Sequence, residues 1–165
     1  MTQIEGVTLA SRSDWTVLRP LLFESIGQTL EMVLVTMIVG GILGLVLGVV
    51  LYGTRPGNLF ENAVVYRILD VIVNIIRPIP FIIFLAAMQP LTIKVIGTSI
   101  GTAAAIFPMI IMCTMATSRL VEQNLVPVDS GVIEAARAMG ASKFTIVRTV
   151  LIPEALAPLI LAYAF

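Results

Sequence analysis

The residues of this chain that could do chemistry cluster between Val132 and Pro153, in the stretch VIEAARAMGASKFTIVRTVLIP. Glu134 puts a carboxylate in the first turns of a short helix, where the helix dipole favours negative charge. Ala135 and Ala136 follow it, and alanine lets another backbone come close. Asp129 or Ser130 can accept the orphan N–H groups at the helix start. Val132, Ile133, Ala136 and Met139 recur on one face, and Gly140 stands where a left-handed residue ends a helix without a Cβ clash. Ser142 can cap a second helix, in which Phe144, Val147 and Leu151 repeat at helical spacing until Pro153 stops it. This is chemistry of docking, not of bond making. Two short helices hinged at Gly140 suit insertion into a groove on another protein, with Glu134 as the anionic anchor.

Other chemistries find little to work with. The sequence has no histidine and a single cysteine, Cys113, set in an apolar block, so neither a metal site nor a disulfide is expected. No G-x-x-x-x-G-K-[ST] loop occurs, so ATP is not expected to bind by that route. No catalytic residue and no cofactor is implied.

The hairpin has to be carried by something, and composition says what. Hydrophobic residues make up 58% of the chain and charged ones 12%, against ~45–50% and ~25% in soluble domains. Met32–Tyr52 and Val95–Ser118 carry no charge at all, and each reaches the ~20 residues needed to cross a bilayer. Soluble core helices keep a polar stripe, which these blocks lack. The fold class is therefore all-α integral membrane protein. Glu5 and the absence of a basic patch before a short apolar run argue against a cleavable signal peptide.

Along the chain, residues 1–24 read as an interfacial lead-in around Trp15, and residues 25–165 as a transmembrane domain. Spans are expected at about 32–52, 71–91 and 95–117, followed by the hairpin at 129–153 and the start of another span from about 156. Leu156–Phe165 rises only ~15 Å as helix, so the fourth span is expected to be cut short here and the natural product to be longer. Gly40, Gly44 and Gly48 form a stripe of small residues suited to close helix packing, as does Gly97-x-x-x-Gly101 in the third span. TRPGN (Thr54–Asn58) breaks the chain, and an interfacial helix with Phe60, Val64 and Ile68 on one face should feed the second span. Pro78 and Pro80 should kink that span. Lys94 marks a short turn before the third.

Asp70, Asn74 and Arg77 fall on one helix face. They form either a buried polar stripe near a pathway, as ionisable groups in membranes suggest, or a face from which Arg77 snorkels to the interface. The short apolar stretch before Lys94 favours the second. Arg55, Arg67, Arg119, Arg137, Lys143 and Arg148 lie on one side of three spans, against Arg12, Arg19 and Lys94 on the other. The positive-inside rule then puts the N-terminus outside and the hairpin in the cytoplasm.

Glu134-Ala135-Ala136, three residues, Gly140, nine residues and Val150-Leu151-Ile152-Pro153 resemble the EAA loop of ABC importer permeases. Valine and isoleucine stand where that family pattern has isoleucine and leucine. The resemblance implies a type I ABC importer permease bundle, truncated in the fourth span. It also implies that Glu134, Ala135, Ala136 and Gly140 contact an ATP-hydrolysing subunit, while Val150, Ile152 and Pro153 fix the loop to the bundle. QTLEMV (Gln28–Val33), LYGTRPG (Leu51–Gly57), VNIIRPIPFIIFL (Val73–Leu85) and GTSIG (Gly97–Gly101) look like the methionine importer, MetI-like, branch of the family, over most of Ser25–Tyr163. The partners so implied are two ATPase subunits, a second permease copy in a homodimer, an extracytoplasmic substrate-binding protein and membrane lipid, with no nucleic acid. The location implied is a bacterial-type inner membrane.

A permease for another amino acid or small solute could share these motifs. An ion-coupled secondary carrier would need internal repeats, and no repeat is seen; a passive scaffold would not need the hairpin. The sidedness is directly testable. A cysteine introduced at Ser142 is expected to react with a membrane-impermeant maleimide only once the cytoplasmic face is opened; labelling on intact cells would place the hairpin outside.

Overall fold

The computed structural model describes residues 15–164, all of whose regular elements are helical. The first is a long rod: α1 (Trp15–Val35), a π turn (Thr36–Gly40) and α2 (Gly41–Thr54). Residues 18–54 meet the length and apolarity needed to cross a membrane. At 37 residues this stretch is ~55 Å long, well beyond the ~30 Å hydrocarbon core. The expected lead-in is thus not a separate element over Trp15–Glu24: the helix runs through it without a glycine to interrupt it, and continues despite Pro20. Residues 1–14 of that lead-in lie outside the described residues.

After α2, Asn58 donates from Nδ2 to the Tyr52 carbonyl at 2.6 Å, satisfying one of the orphan acceptors at the helix end. Asn62 opens α3 (Ala63–Ile76) as an N-cap, its Oδ1 accepting from the Val64 and Val65 N–H groups at 3.2 and 3.1 Å. The chain then turns sharply into α4 (Phe81–Ile96); the two axes meet at 115°. A kinked span over 71–91 was the expectation, and the break is far larger. Pro78 and Pro80 both lack an N–H and cannot continue the hydrogen-bond ladder, although Arg77 before Pro78 is still helical (φ −56°, ψ −43°). Val71–Ile76 consequently belong with α3 and not with the segment after the prolines.

Lys94 lies in the last turn of α4, not in a loop. The turn comes at Gly97–Gly101, where Gly97 (φ +88°) ends α4 in the left-handed region and Gly101 (φ +102°) precedes α5 (Thr102–Leu125). The assignment of Gly97 and Gly101 to helix packing is therefore corrected. A Cβ on either would meet nothing within 4 Å, and these glycines serve backbone geometry that L side chains resist. α5, at 24 residues, is the second helix long and apolar enough to span by itself; up to four spans result if each bent helix pair counts as one.

The remaining elements are α6 (Ser130–Ala138), α7 (Lys143–Ile146), a second π turn (Val147–Leu151), α8 (Ile152–Glu154) and α9 (Leu156–Ala164). The second π turn stands just before Pro153, which cannot donate to a preceding carbonyl, and such wider turns absorb a break in the hydrogen-bond ladder. Between Lys143–Glu154 and Leu156–Tyr163 the chain bends by 67°.

Packing centres on α2 and α5. A Cβ on Gly40 would lie 2.8 Å from Cys113 Cβ, on Gly44 2.6 Å from Thr117 Cβ, and on Gly48 2.5 Å from Val121 Cβ and 2.6 Å from the Ser118 carbonyl oxygen. The two backbones therefore approach as closely as glycine allows. At the end of this seam a buried cluster forms from Tyr52, Leu59, Val121, Leu125, Ile133, Ala136, Ile146, Val147, Leu151, Ala155 and Leu159. By contrast α1 and α4 present Phe23, Ile26, Leu30, Ile82 and Ile83 outward, surfaces that belong against lipid or another subunit.

Gly48→Leu is expected to clash with backbone as well as side chain, and overpacking of this kind costs about 1–3 kcal/mol or more. Gly27→Leu, where a Cβ meets nothing within 4 Å, is the control and should leave thermal stability in detergent unchanged. Equal stability of both variants would mean that the seam is not close-packed.

Candidate functional site: a shape-locked hairpin and a buried ionic clamp

α6 and α7 build the hairpin from local signals. Asp129 Oδ1 accepts from the Gly131 N–H at 2.8 Å, and Ser142 Oγ accepts from the Thr145 N–H at 3.2 Å. Between the helices, the Gly140 N–H reaches the Arg137 carbonyl at 2.9 Å and the Ala141 N–H reaches the Ala136 carbonyl at 3.1 Å. This pair of bonds, with Gly140 at φ +80°, is a Schellman closure. The turn is thus fixed by backbone hydrogen bonds and one left-handed residue.

The hairpin's two faces differ from the expected ones. Ile133 (8% exposed) and Ala136 (4%) point into the buried cluster, whereas Val132 (41%) and Met139 (81%) face out. The grouping of Val132 and Met139 with Ile133 and Ala136 is corrected accordingly: Met139 follows the last helical residue, Ala138, and leaves the face as the Schellman turn unwinds. Ala136 is likewise packed within this chain and is not available at an outer surface. The outer surface carries Glu134, Ala135 and Ala138, all exposed, with Met139 and Phe144 (71%) at the tip. Behind the hairpin Leu151 is fully buried, Val150 and Ile152 are half-buried, and Pro153 is exposed. Lys143 Nζ lies 5.7 Å from the centre of the Phe60 ring, and that ring in turn covers Gly53, whose carbonyl accepts from the Phe60 N–H at 2.9 Å. These contacts hold α7 to the loop after α2.

A second constellation stands where α3 crosses α5. Arg119 Nη2 donates to Asp70 Oδ1 at 2.6 Å and to Asn74 Oδ1 at 2.7 Å, while its Nη1 donates to Glu122. Asn74 Nδ2 donates to Asp70 Oδ2 at 3.0 Å, and Tyr66 Oη donates to Glu122 Oε1 at 3.4 Å. The Glu122 side chain is 3% exposed and the Arg119 side chain 15%. Removing Arg119 would strand the buried Glu122 carboxylate, at about 3–5 kcal/mol. Asp70 and Asn74, expected on one face with Arg77, do share a face, but Arg77 is exposed at the end of α3 and takes no part. Sequence reasoning missed Arg119 and Glu122 as members. Their signal was available: opposite charges at i, i+3 continuing an apolar helix that had been expected to stop near Thr117.

Two further polar contacts reach the seam: Tyr163 Oη donates to the Gly41 carbonyl at 2.8 Å, and Thr114 Oγ1, which bonds the Ile110 carbonyl of its own helix at 2.8 Å, lies 3.5 Å from the Gly40 carbonyl. Between α4 and α5 lies a cavity of about 490 Å³ whose walls include Ile82, Gln89, Thr92, Ser99 and Ala104.

A membrane helix bundle with an exposed, capped hairpin at one end defines a class, and sequence comparison identifies it. Residues 40–165 match the family of binding-protein-dependent transport system inner membrane components, and the chain belongs to that family. It is 48% identical over 140 residues to the D-methionine transport system permease protein MetI of Escherichia coli strain K12, covering 85% of this chain and 64% of the relative. The probable D-methionine permease MetI of Vibrio cholerae is 43% identical over 145 residues, again with 64% of the relative covered. The chain thus spans about 64% of the length of the curated relatives it matches. Two crystal forms of the MetNI methionine ABC transporter, both described as inward facing, superpose with TM-scores of 0.82 and 0.84. Their sequence identities are 48% and 46%, over 87% and 88% of this chain and 66% and 68% of theirs.

The Gly140 turn gives a sharp test of conformation against bulk. A Cβ there meets nothing within 4 Å, so only the left-handed backbone resists substitution, at ~1–2 kcal/mol. Gly140→Val is expected to destabilise the hairpin and raise its proteolytic sensitivity, and Gly140→Asn, which tolerates that region, should not. Similar behaviour of the two would remove the conformational argument.

Proposed function

We propose that this chain is the membrane permease subunit of an ATP-driven importer for methionine, working by alternating access with hydrolysis in a separate ATPase subunit. The observation that carries this reading is the hairpin of a binding-protein-dependent transport component: rigid by its Schellman closure, rooted in the buried cluster through Ile133 and Ala136, and presenting Glu134, Met139 and Phe144 outward. Apolar side chains as exposed as Met139 and Phe144, beside a carboxylate, suit a protein partner. That partner is an ATPase with a groove for the hairpin and a cation for Glu134. Glu134, Ala135 and Gly140 form or shape the contact, Ala136 anchors it from behind, and Val150, Ile152 and Pro153 fix the loop to the bundle. The assembly is two permease copies, two ATPase subunits and an extracytoplasmic binding protein. The chain crosses a bacterial inner membrane several times, with its N-terminus outside and the hairpin in the cytoplasm. The permease itself catalyses no reaction.

Similarity to proteins named for D-methionine transport and to a methionine transporter supports the choice of substrate. Glu134→Lys is the test. It reverses the docking charge at an exposed position and leaves the spans untouched, so membrane insertion should be normal. Co-purification of the ATPase and uptake of labelled methionine should each fall about fivefold or more, the scale of ~1 kcal/mol. Normal co-purification together with normal uptake would overturn the docking assignment. Uptake of another solute in place of methionine by the unaltered complex would overturn the substrate assignment alone.

A further inference from the structure

The ionic cluster joining α3 to α5 lies outside the hairpin; along α5 its members Arg119 and Glu122 stand between Leu125, buried with the hairpin, and Ala104 and Ala105, which line the cavity. Leu125, at the end of α5, is buried together with Ile133 and Ala136 of α6, so the hairpin and the end of α5 are one packed unit. Arg119 and Glu122 lie in the last turns of that same helix. Across from them, α3 has little apolar attachment within the chain: Val73 is buried, but Val64, Ile68, Ile72 and Ile75 are all more than 40% exposed. What holds α3 to α5 is therefore chiefly Arg119, whose one guanidinium serves Asp70, Asn74 and Glu122, with Tyr66 bonding back to Glu122. The far end of α3 runs through the Arg77–Pro80 corner into α4, and α4 supplies Ile82, Leu85, Ala86 and Gln89 to the 490 Å³ cavity.

Resting on the importer reading above, we propose that Arg119 is a positioning residue that transmits movement of the hairpin to the cavity wall. Displacement of the hairpin carries the end of α5, and the Arg119 clamp obliges α3 to follow. The proline corner then converts that movement into rotation of α4 about the cavity. The shape of the guanidinium is essential. Its fixed fork reaches both helices at once, whereas a lysine offers a single charge point that cannot serve Asp70, Asn74 and Glu122 together. The buried Glu122 keeps the fork oriented, and the Asp70–Asn74 hydrogen bond holds the two acceptors side by side.

The test uses the full-length permease with its ATPase in membranes, in a Cys113→Ala background carrying Gln89→Cys on the cavity wall. The labelling rate of that thiol by a maleimide is measured with and without ATP, alongside ATP hydrolysis and methionine uptake. Without further change, ATP should alter the labelling rate. In Asp70→Ala/Asn74→Ala, which leaves the Arg119–Glu122 pair intact and no buried charge unpaired, hydrolysis should persist while the ATP-dependent change in labelling shrinks about threefold or more. Arg119→Lys should behave alike, and Asp70→Asn, which keeps an acceptor of the same shape, should recover most of the response. An unchanged response in the double variant overturns the proposal. So does loss of assembly in all three variants, which would confine the cluster to holding the bundle together, and so does a wall thiol indifferent to ATP before the clamp is altered. Absence of methionine uptake by the unaltered complex, with labelling still responding to ATP, would count against the substrate and leave the clamp standing.

Discussion

Close approach of α2 to α5 is the constraint on which the rest of this structure depends. Inside a bilayer, apolar side chains gain nothing by leaving lipid for each other, so association must come from contact and from polar groups. Gly40, Gly44 and Gly48 supply the contact by removing every atom that would hold the backbones apart. Once α2 and α5 are locked in register, their ends bring Tyr52, Val121 and Leu125 together, and these residues form the floor on which Ile133, Ala136, Ile146 and Leu151 pack. The hairpin's position is a consequence of the seam.

Polar groups complete the arrangement where contact is thin. α3 is held by the Arg119 cluster more than by apolar burial, and α9 is pinned to the seam by the Tyr163 hydrogen bond to the Gly41 carbonyl. That bond falls immediately after the π turn at Thr36–Gly40, where the ladder of the long first helix is already widened. Cys113 and Thr114 face the same glycines, so the seam is lined by small side chains on both partners. A chain that carries few charges has placed three of them, Asp70, Arg119 and Glu122, in a single crossing point.

The hairpin joins two kinds of stability. Its shape comes from caps and a left-handed glycine, terms that act locally and need no neighbours. Its attachment comes from burial of one face. The consequence is an exposed outer surface carried by an element whose shape and attachment do not depend on it.

By itself the sequence determined the membrane class, because uncharged blocks of span length have no other low-energy environment. It also determined the hairpin's turn and caps and the glycine seam, because these depend on residues within a few positions of one another or on a simple helical period. Only the tertiary structure decided how far Pro78 and Pro80 would turn the chain, since a missing donor sets that a helix breaks but not the angle at which packing lets it resume. Only the tertiary structure showed Gly97 and Gly101 as turn residues, for their spacing is the same whether the segment is helical or not. The partnership of Arg119 with Asp70 and Asn74 lay across more than forty residues, and a pairing of that range exists only once α3 has been laid against α5. Which face of the hairpin is buried was settled in the same way, by the cluster at the end of the seam, which no local periodicity describes.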